Sequence, residues 1–187
     1  MKKSAQNGFT LVELIITVLL AAIVLGLGVP AFGNFIDNSR MISTTNDLVT
    51  DLLVARSEAV KRNNNVTICA SSNGTSCSGD NDWDTGWIVF DDVNANAVVD
   101  GAAILRRHAA AQDGGMSIAV TAGTAASFVS FNGDGFPRDA NNVVLTATFS
   151  LCDHRGIVAG YQYARGIQLG ASGRVNSTDV QGSIVCP

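Results

Sequence analysis

Gly8-Phe9-Thr10-Leu11-Val12-Glu13 stands at the head of the most apolar stretch of this 187-residue chain. Across residues 9–29 the only polar side chains are Thr10, Glu13 and Thr17. As a helix rising about 1.5 Å per residue, that span reaches about 31 Å, enough to cross a hydrocarbon core of about 30 Å. Lys2 and Lys3 are the only charges ahead of it, and such residues hold the head of a spanning segment in the cytoplasm. Glu13 is the anomaly. A carboxylate inside an apolar segment costs about 2.5–3.5 kcal/mol on insertion scales and is rare without a partner. A conventional secretory leader, cut near Val29-Pro30-Ala31, leaves Glu13 without a purpose.

Beyond the apolar run the sequence predicts a second half of the same helix. Pro30, with Gly26, Gly28 and Gly33 nearby, marks a weak point, because proline removes a backbone hydrogen bond and glycine costs about 1 kcal/mol each. Helical periodicity then resumes. Ile42, Val49, Leu52, Leu53 and Val60, with Leu48, Ala55 and Ala59 offset, recur at spacings of three, four and seven and predict one buried face. Asp47, Asp51, Arg56, Glu58, Lys61 and Arg62 are expected on the opposite face, and Asn63-Asn64-Asn65 stops the helix.

After residue 65 the pattern changes to short β-rich runs between turn residues. Strands are expected at 66–70, 86–90, 103–107, 116–120, 128–131, 143–151 and 164–169, with a hairpin turn at Asn132-Gly133-Asp134-Gly135. The expected fold class is α+β: one long N-terminal helix packed against antiparallel sheet. No internal repeat or long linker divides the β-rich part. With 47% hydrophobic and 15% charged residues, the chain is not of the disordered class. A net charge of −4 argues against coating nucleic acid by bulk charge.

The string Gly8 to Glu13 closely resembles the class III signal of type IV pilins and type II secretion pseudopilins. Resemblance narrows further with Arg56-Ser57-Glu58-Ala59-Val60-Lys61-Arg62, Val66-Thr67-Ile68-Cys69, Gly86-Trp87-Ile88-Val89-Phe90-Asp91-Asp92, Leu151-Cys152-Asp153-His154-Arg155-Gly156 and Gly173-Arg174-Val175. Together these look like the FimT/FimU/GspH group of minor pilins and pseudopilins. The resemblance implies a pilin fold with a leader at residues 1–8, a helix at 9–64 that is transmembrane over 9–29, and a globular domain at 65–187. It implies cutting after Gly8 by a prepilin peptidase, methylation of the new N-terminal Phe9, and pairing of Glu13 with the N-terminal ammonium of a neighbouring subunit. The physics agrees, because a buried carboxylate that gains a cation favours joining a filament over remaining alone in lipid.

The implied function is that of a minor pilin in a type IV pilus, initiating it or forming its tip. The alternatives are a type II secretion pseudopilin and a DNA-binding minor pilin for transformation. Partners would be other minor and major pilins, with the inner membrane as host before assembly and the globular domain in the periplasm. No cofactor, metal or enzymatic activity is expected. Some FimT-like pilins take up DNA through a Gly-Arg-x-Arg loop. Here Gly173-Arg174-Val175-Asn176 keeps the first arginine and replaces the second, so one phosphate contact is lost, and Arg165 and Arg155 are the residues that could compensate.

Four cysteines suit two disulfides in an oxidising compartment. Nearest-neighbour pairing gives Cys69–Cys77 and Cys152–Cys186, one of three connectivities. Zinc is disfavoured, since no CxxC pair exists and there are only two histidines. Asp92, Asn94, Asn96 and Asp100 alternate like the start of a calcium loop, but the sixth-position glycine is missing and Ala103 stands where a bidentate glutamate belongs. Asparagine and aspartate dominate ordinary turns because their side chains cap local backbone amides, so a self-capped turn is the favoured reading. Trp83 is expected as a half-exposed loop aromatic and Trp87 as a core strand residue, with anchoring of a partner pilin as the rival role for both.

Overall fold

The computed structural model describes residues 8–101, 103–110, 115–122, 127–139, 141–156, 163–178 and 186; the leader residues 1–7 expected above lie outside these. The chain divides into two units, Met1–Asn38 and Ser39–Pro187. Helix α1, Leu11–Arg62, supplies the described helical residues of the first and opens the second. Its helical backbone includes Pro30, so the weak point read there does not end the helix.

Its C-terminus is set by Asn63, which adopts a left-handed φ of 51°. The Asn63 amide donates to the Val60 carbonyl at 3.2 Å and the Asn64 amide to the Ala59 carbonyl at 3.1 Å. Those two bonds make a Schellman cap, which asparagine tolerates better than most residues.

Among the described residues nine strands follow: β1 Val66–Ala70, β2 Gly86–Asp91, β3 Ile104–Ala109, β4 Ser117–Ala122, β5 Phe128–Phe131, β6 Pro137–Arg138, β7 Ala147–Cys152, β8 Ala164–Leu169 and β9 Val175–Thr178. They form two antiparallel sheets, one ordered β3-β2-β1-β5-β6 and the other β4-β7-β8-β9. The expected run 143–151 contracts to β7, with only an isolated bridge from Val144 to Arg138 ahead of it. β6 and β9 carry too few apolar residues to stand out in the sequence.

The core lies between the Ser39–Arg62 part of α1 and both sheets. Leu48, Leu52, Ala55 and Ala59 are fully buried in one cluster with Ile68, Trp87, Val89 and Phe131 of the first sheet and Phe149, Leu151, Ile167 and Leu169 of the second. The buried helix face thus joins Leu52 of the main set to the offset Leu48, Ala55 and Ala59, with Val49 packed at its margin, whereas Ile42, Leu53 and Val60 are 45–51% exposed. Asp51 also departs from expectation. It is 1% exposed, because its carboxylate accepts a 2.8 Å bond from the Trp87 indole and a 2.9 Å bond from Arg106. Trp83 is likewise corrected from half-exposed to fully buried, edge-on to Phe149 with centroids 5.2 Å apart. With both indoles enclosed, neither tryptophan presents a surface to a partner.

Candidate functional site

The first candidate is the start of α1. Thr10 caps it: its hydroxyl accepts the Glu13 amide at 3.2 Å, and its carbonyl accepts the Leu14 amide at 3.2 Å. The Thr-x-x-Glu spacing is a capping signature that the sequence reading passed over. Thr17 closes its hydroxyl onto the Leu14 carbonyl at 2.9 Å, so it needs no outside partner. Glu13 differs. Among the described residues no cation pairs with it, and it lies amid exposed Leu11, Val12, Leu14, Ile15 and Ile16. The exposed apolar surface continues to Leu27, with Phe9 77% exposed at its head. By length and composition the helix is long and apolar enough to cross a membrane. Chemically the arrangement is one carboxylate on an otherwise apolar rod, suited to apolar surroundings plus one cation.

The second candidate is the arginine set. Arg174 sits at the β8–β9 turn, exposed, donating to the Asn176 side-chain oxygen at 3.0 Å. Arg165 pairs with Leu151 near the opposite end of β8. Arg155 turns back onto the buried carboxylate of Asp153 and lies over the Tyr163 ring, 4.1 Å from its centroid. The length of β8 thus separates Arg174 from the other two, and the fold gathers no joint patch from them. Gly173, next to Arg174, has a packing reason. At φ 75° it lies against Gly135 of the β5–β6 turn, and Arg56 ties both turns to α1 through the Gly135 and Ser172 carbonyls, each at 3.1 Å.

The acidic loop after β2 resolves as a self-capped turn. Asp92 accepts the amides of Asn96 and Ala97 and the Thr67 hydroxyl, while Asp100 accepts from the Asn94 and Asn96 side chains. Those Asn94 and then Asn96 amides hold the Asp100 carboxyl below its ordinary range. Both oxygens of Asp92, one of Asp100 and that of Asn96, which accepts the Val98 amide, are thereby bonded. Elsewhere, Arg62 and then Lys61 lower the Glu58 carboxyl, and a hydrogen bond with Asp84, with lesser help from desolvation, raises that of Asp82. Among the described residues no cluster of ligating side chains could hold a metal.

Cys69 is joined to Cys77 and Cys152 to Cys186, with Cα separations of 5.6 and 5.8 Å. The first closes the loop after β1; the second pins position 186 to the end of β7.

Two features of the site went unread in the sequence: the Thr10 cap and a pair of polar contacts between α1 and β3. Asp51 and Asp47, four apart on the helix, face Arg106 and His108, two apart on the strand, at 2.9 and 3.2 Å. The imidazole of His108 stacks on Trp87 at 3.9 Å. Both spacings bring side chains to a common face, which is the signal that was present.

Residues 44–173 match the GspH family, described as type II transport protein. Residues 3–29 match the prokaryotic N-terminal methylation motif, which places Gly8, Phe9 and Glu13 inside a recognised pattern. Among solved structures the chain is similar to the type IV minor pilin FimU of Pseudomonas aeruginosa strain PAO1. One crystal form aligns at 22% identity over 76% of this chain and 90% of that one, with a TM-score of 0.55. A second form aligns at 22% identity over 73% and 90%, with a TM-score of 0.50. At that identity the likeness shows a shared fold. No curated protein matches the chain.

Proposed function

Because this chain belongs to the GspH family, whose role is that of a minor pilin or pseudopilin, we propose that it enters a type IV pilus as a minor subunit that initiates the filament or forms its tip. Prepilin peptidase cuts after Gly8, Phe9 becomes the methylated N-terminus, and residues 9–29 hold the subunit in the inner membrane with its globular unit in the periplasm. The observation that carries this reading is Glu13: a lone carboxylate on an apolar helix, without a cation among the described residues, inside an N-terminal methylation motif.

The step is charge exchange. In lipid, Glu13 pays desolvation without a partner; beside the ammonium of a neighbouring Phe9 it gains a hydrogen-bonded cation in a low-dielectric setting, where the attraction is strongest. Apolar packing of residues 9–29 then holds the subunit among its neighbours. Terminal sequencing of material sheared from cells tests the processing step. A start at Phe9 supports it, and a start at Phe32 sinks it in favour of ordinary secretion.

A second reading is favoured by the family's own description as a type II transport protein: a pseudopilin that moves cargo through a secretion system. Deleting the gene separates the two. Loss of surface pili with intact secretion supports the pilus reading, and the reverse supports the pseudopilin.

A further inference from the structure

The second unit does not spread its exposed apolar residues evenly. Among the described loop residues, those that expose a large apolar side chain are Val93, Val98, Phe136, Val143 and Val144. They lie in the connections after β2, β5 and β6, whereas the described parts of the loops after β1, β3 and β7 expose none. Strand pairing puts those connections at one end. Val66, just past the end of α1, pairs with Asp91 and with Phe131, the last residues of β2 and β5. Gly133 lies beside Asn63, and Gly135 beside Val60, which is itself 51% exposed. Residues 143–146 lead into Ala147, which pairs with Leu169 ahead of the β8–β9 turn, and that turn abuts Gly135.

Single exposed apolar residues are ordinary on a soluble surface, but their gathering at one end is not. The loop after β2 also holds its valines out on a strained backbone. Ala95 and Ala97 sit at φ of 55° and 56°, a left-handed conformation that residues with a β-carbon rarely adopt. Asp92 fixes it by accepting the Asn96 and Ala97 amides. Self-capping accounts for the aspartates and asparagines of this loop and leaves the exposure of Val93 and Val98 unexplained. Both valines, with Asp91, Asp92 and Asp100, wall a hollow of about 330 Å³, room for a side chain inserted by a partner.

Members of this family assemble with other pilins, so the occupant that fits is another subunit. Contact between two copies of the same end is two-fold and closes as a dimer, whereas a growing filament joins unlike ends. The ends here are unlike. Where the unit begins, Arg40, Thr44, Asp47, His108 and Met116 line a concavity of about 260 Å³. A bilayer is disfavoured at the apolar end, because exposed Asp100 and Asp134 stand there with exposed Lys61 and Arg174 and give no single-sign field to draw anionic lipid.

We propose that the end at which α1 stops seats the globular unit of a different filament subunit, one with its own N-terminal methylation motif. The contact residues are Val60, Val93, Val98, Phe136, Val143 and Val144. The proposal rests on the filament reading above and names the surface by which this subunit meets its neighbour.

The test keeps the full chain in its own cells, with the photo-crosslinking residue p-benzoylphenylalanine in place of Val98 or, as a control in the exposed loop after β1, of Ser72. Position 98 should crosslink to a protein bearing an N-terminal methylation motif, at least about tenfold more than position 72. Equal yields or no adduct overturn the proposal, as do adducts confined to lipid, to a second copy of this chain or to a protein without that motif. The double substitution Val93→Asp with Val98→Asp should lower recovery in sheared filaments at least about tenfold, with cleavage after Gly8 and near-ultraviolet circular dichroism unaltered. Recovery of that variant at the parent level overturns the docking surface and leaves the filament reading intact. Absence of the parent chain itself from sheared filaments overturns both.

Discussion

Gly173 and Arg174 are adjacent, yet the fold uses them differently. A side chain at Gly173 would overlap the Gly135 carbonyl oxygen and come within 2.9 Å of the Arg56 Nε, at a backbone φ of 75° that β-carbons avoid. Gly173→Ala should therefore cost about 1–3 kcal/mol and lower the thermal midpoint by several degrees. Arg174→Ala removes only an exposed contact and should stay within about 0.5 kcal/mol of the parent in the same melt. Asp82 supplies a pH-dependent case. Its carboxyl is raised by the hydrogen bond with Asp84, so the stability it contributes is present below the ordinary carboxylate range and lost as pH rises through the raised value. Asp82→Asn should be more stable than the parent at neutral pH, and the gap should close in acid. Urea melts at several pH values would show this, and a gap that widened in acid would contradict the raised Asp82 carboxyl.

The helix shows how an element can be legible while its orientation is not. Its periodicity, its stop at Asn63 and its length could all be read from spacing and caps. Two apolar stripes share it, however. Leu48, Leu52, Ala55 and Ala59 form one; Ile42, Leu53 and Val60 form the other, with Val49 at the margin, and a 3.6-residue period admits both. The sheets choose the first, because its small Ala55 and Ala59 admit close packing at the helix end. Leu52→Ala should cost about 2–5 kcal/mol, whereas Leu53→Ala should cost less than about 1 kcal/mol, as read from chemical denaturation. Asp51 follows the same logic: an acid assigned to the wet face is buried because Trp87 and Arg106 supply donors. Removing it in Asp51→Ala strands the buried indole donor and should cost about 2–3 kcal/mol.

At the scale of the molecule, the two disulfides act through the unfolded chain. Their separations of 8 and 34 residues correspond to about 2.5 and nearly 4 kcal/mol of loop-closure entropy on the chain-entropy account. Replacing Cys152 and Cys186 together by serine should thus destabilise the protein more than replacing Cys69 and Cys77, a ranking that urea midpoints would check. Assembly itself is governed from the other end. Glu13→Ala should leave cleavage after Gly8 intact while reducing recovery of the subunit in sheared filaments at least about tenfold, and normal recovery would refute the pairing role.

What the sequence alone determined was whatever depends on neighbours in the chain: the apolar length, the misplaced carboxylate at position 13, the helix stop and most of the strands. Apolar length and local caps act within a few residues, so their reading needs no fold. Only the tertiary structure decided which helix stripe is inward, that Asp51 and Trp83 are enclosed, that Arg155 and Arg165 lie far along β8 from Arg174, and that the exposed valines and Phe136 of three loops gather at one end. Those outcomes depend on which strands pair and in what register, and pairing energy comes from partners dozens of residues apart.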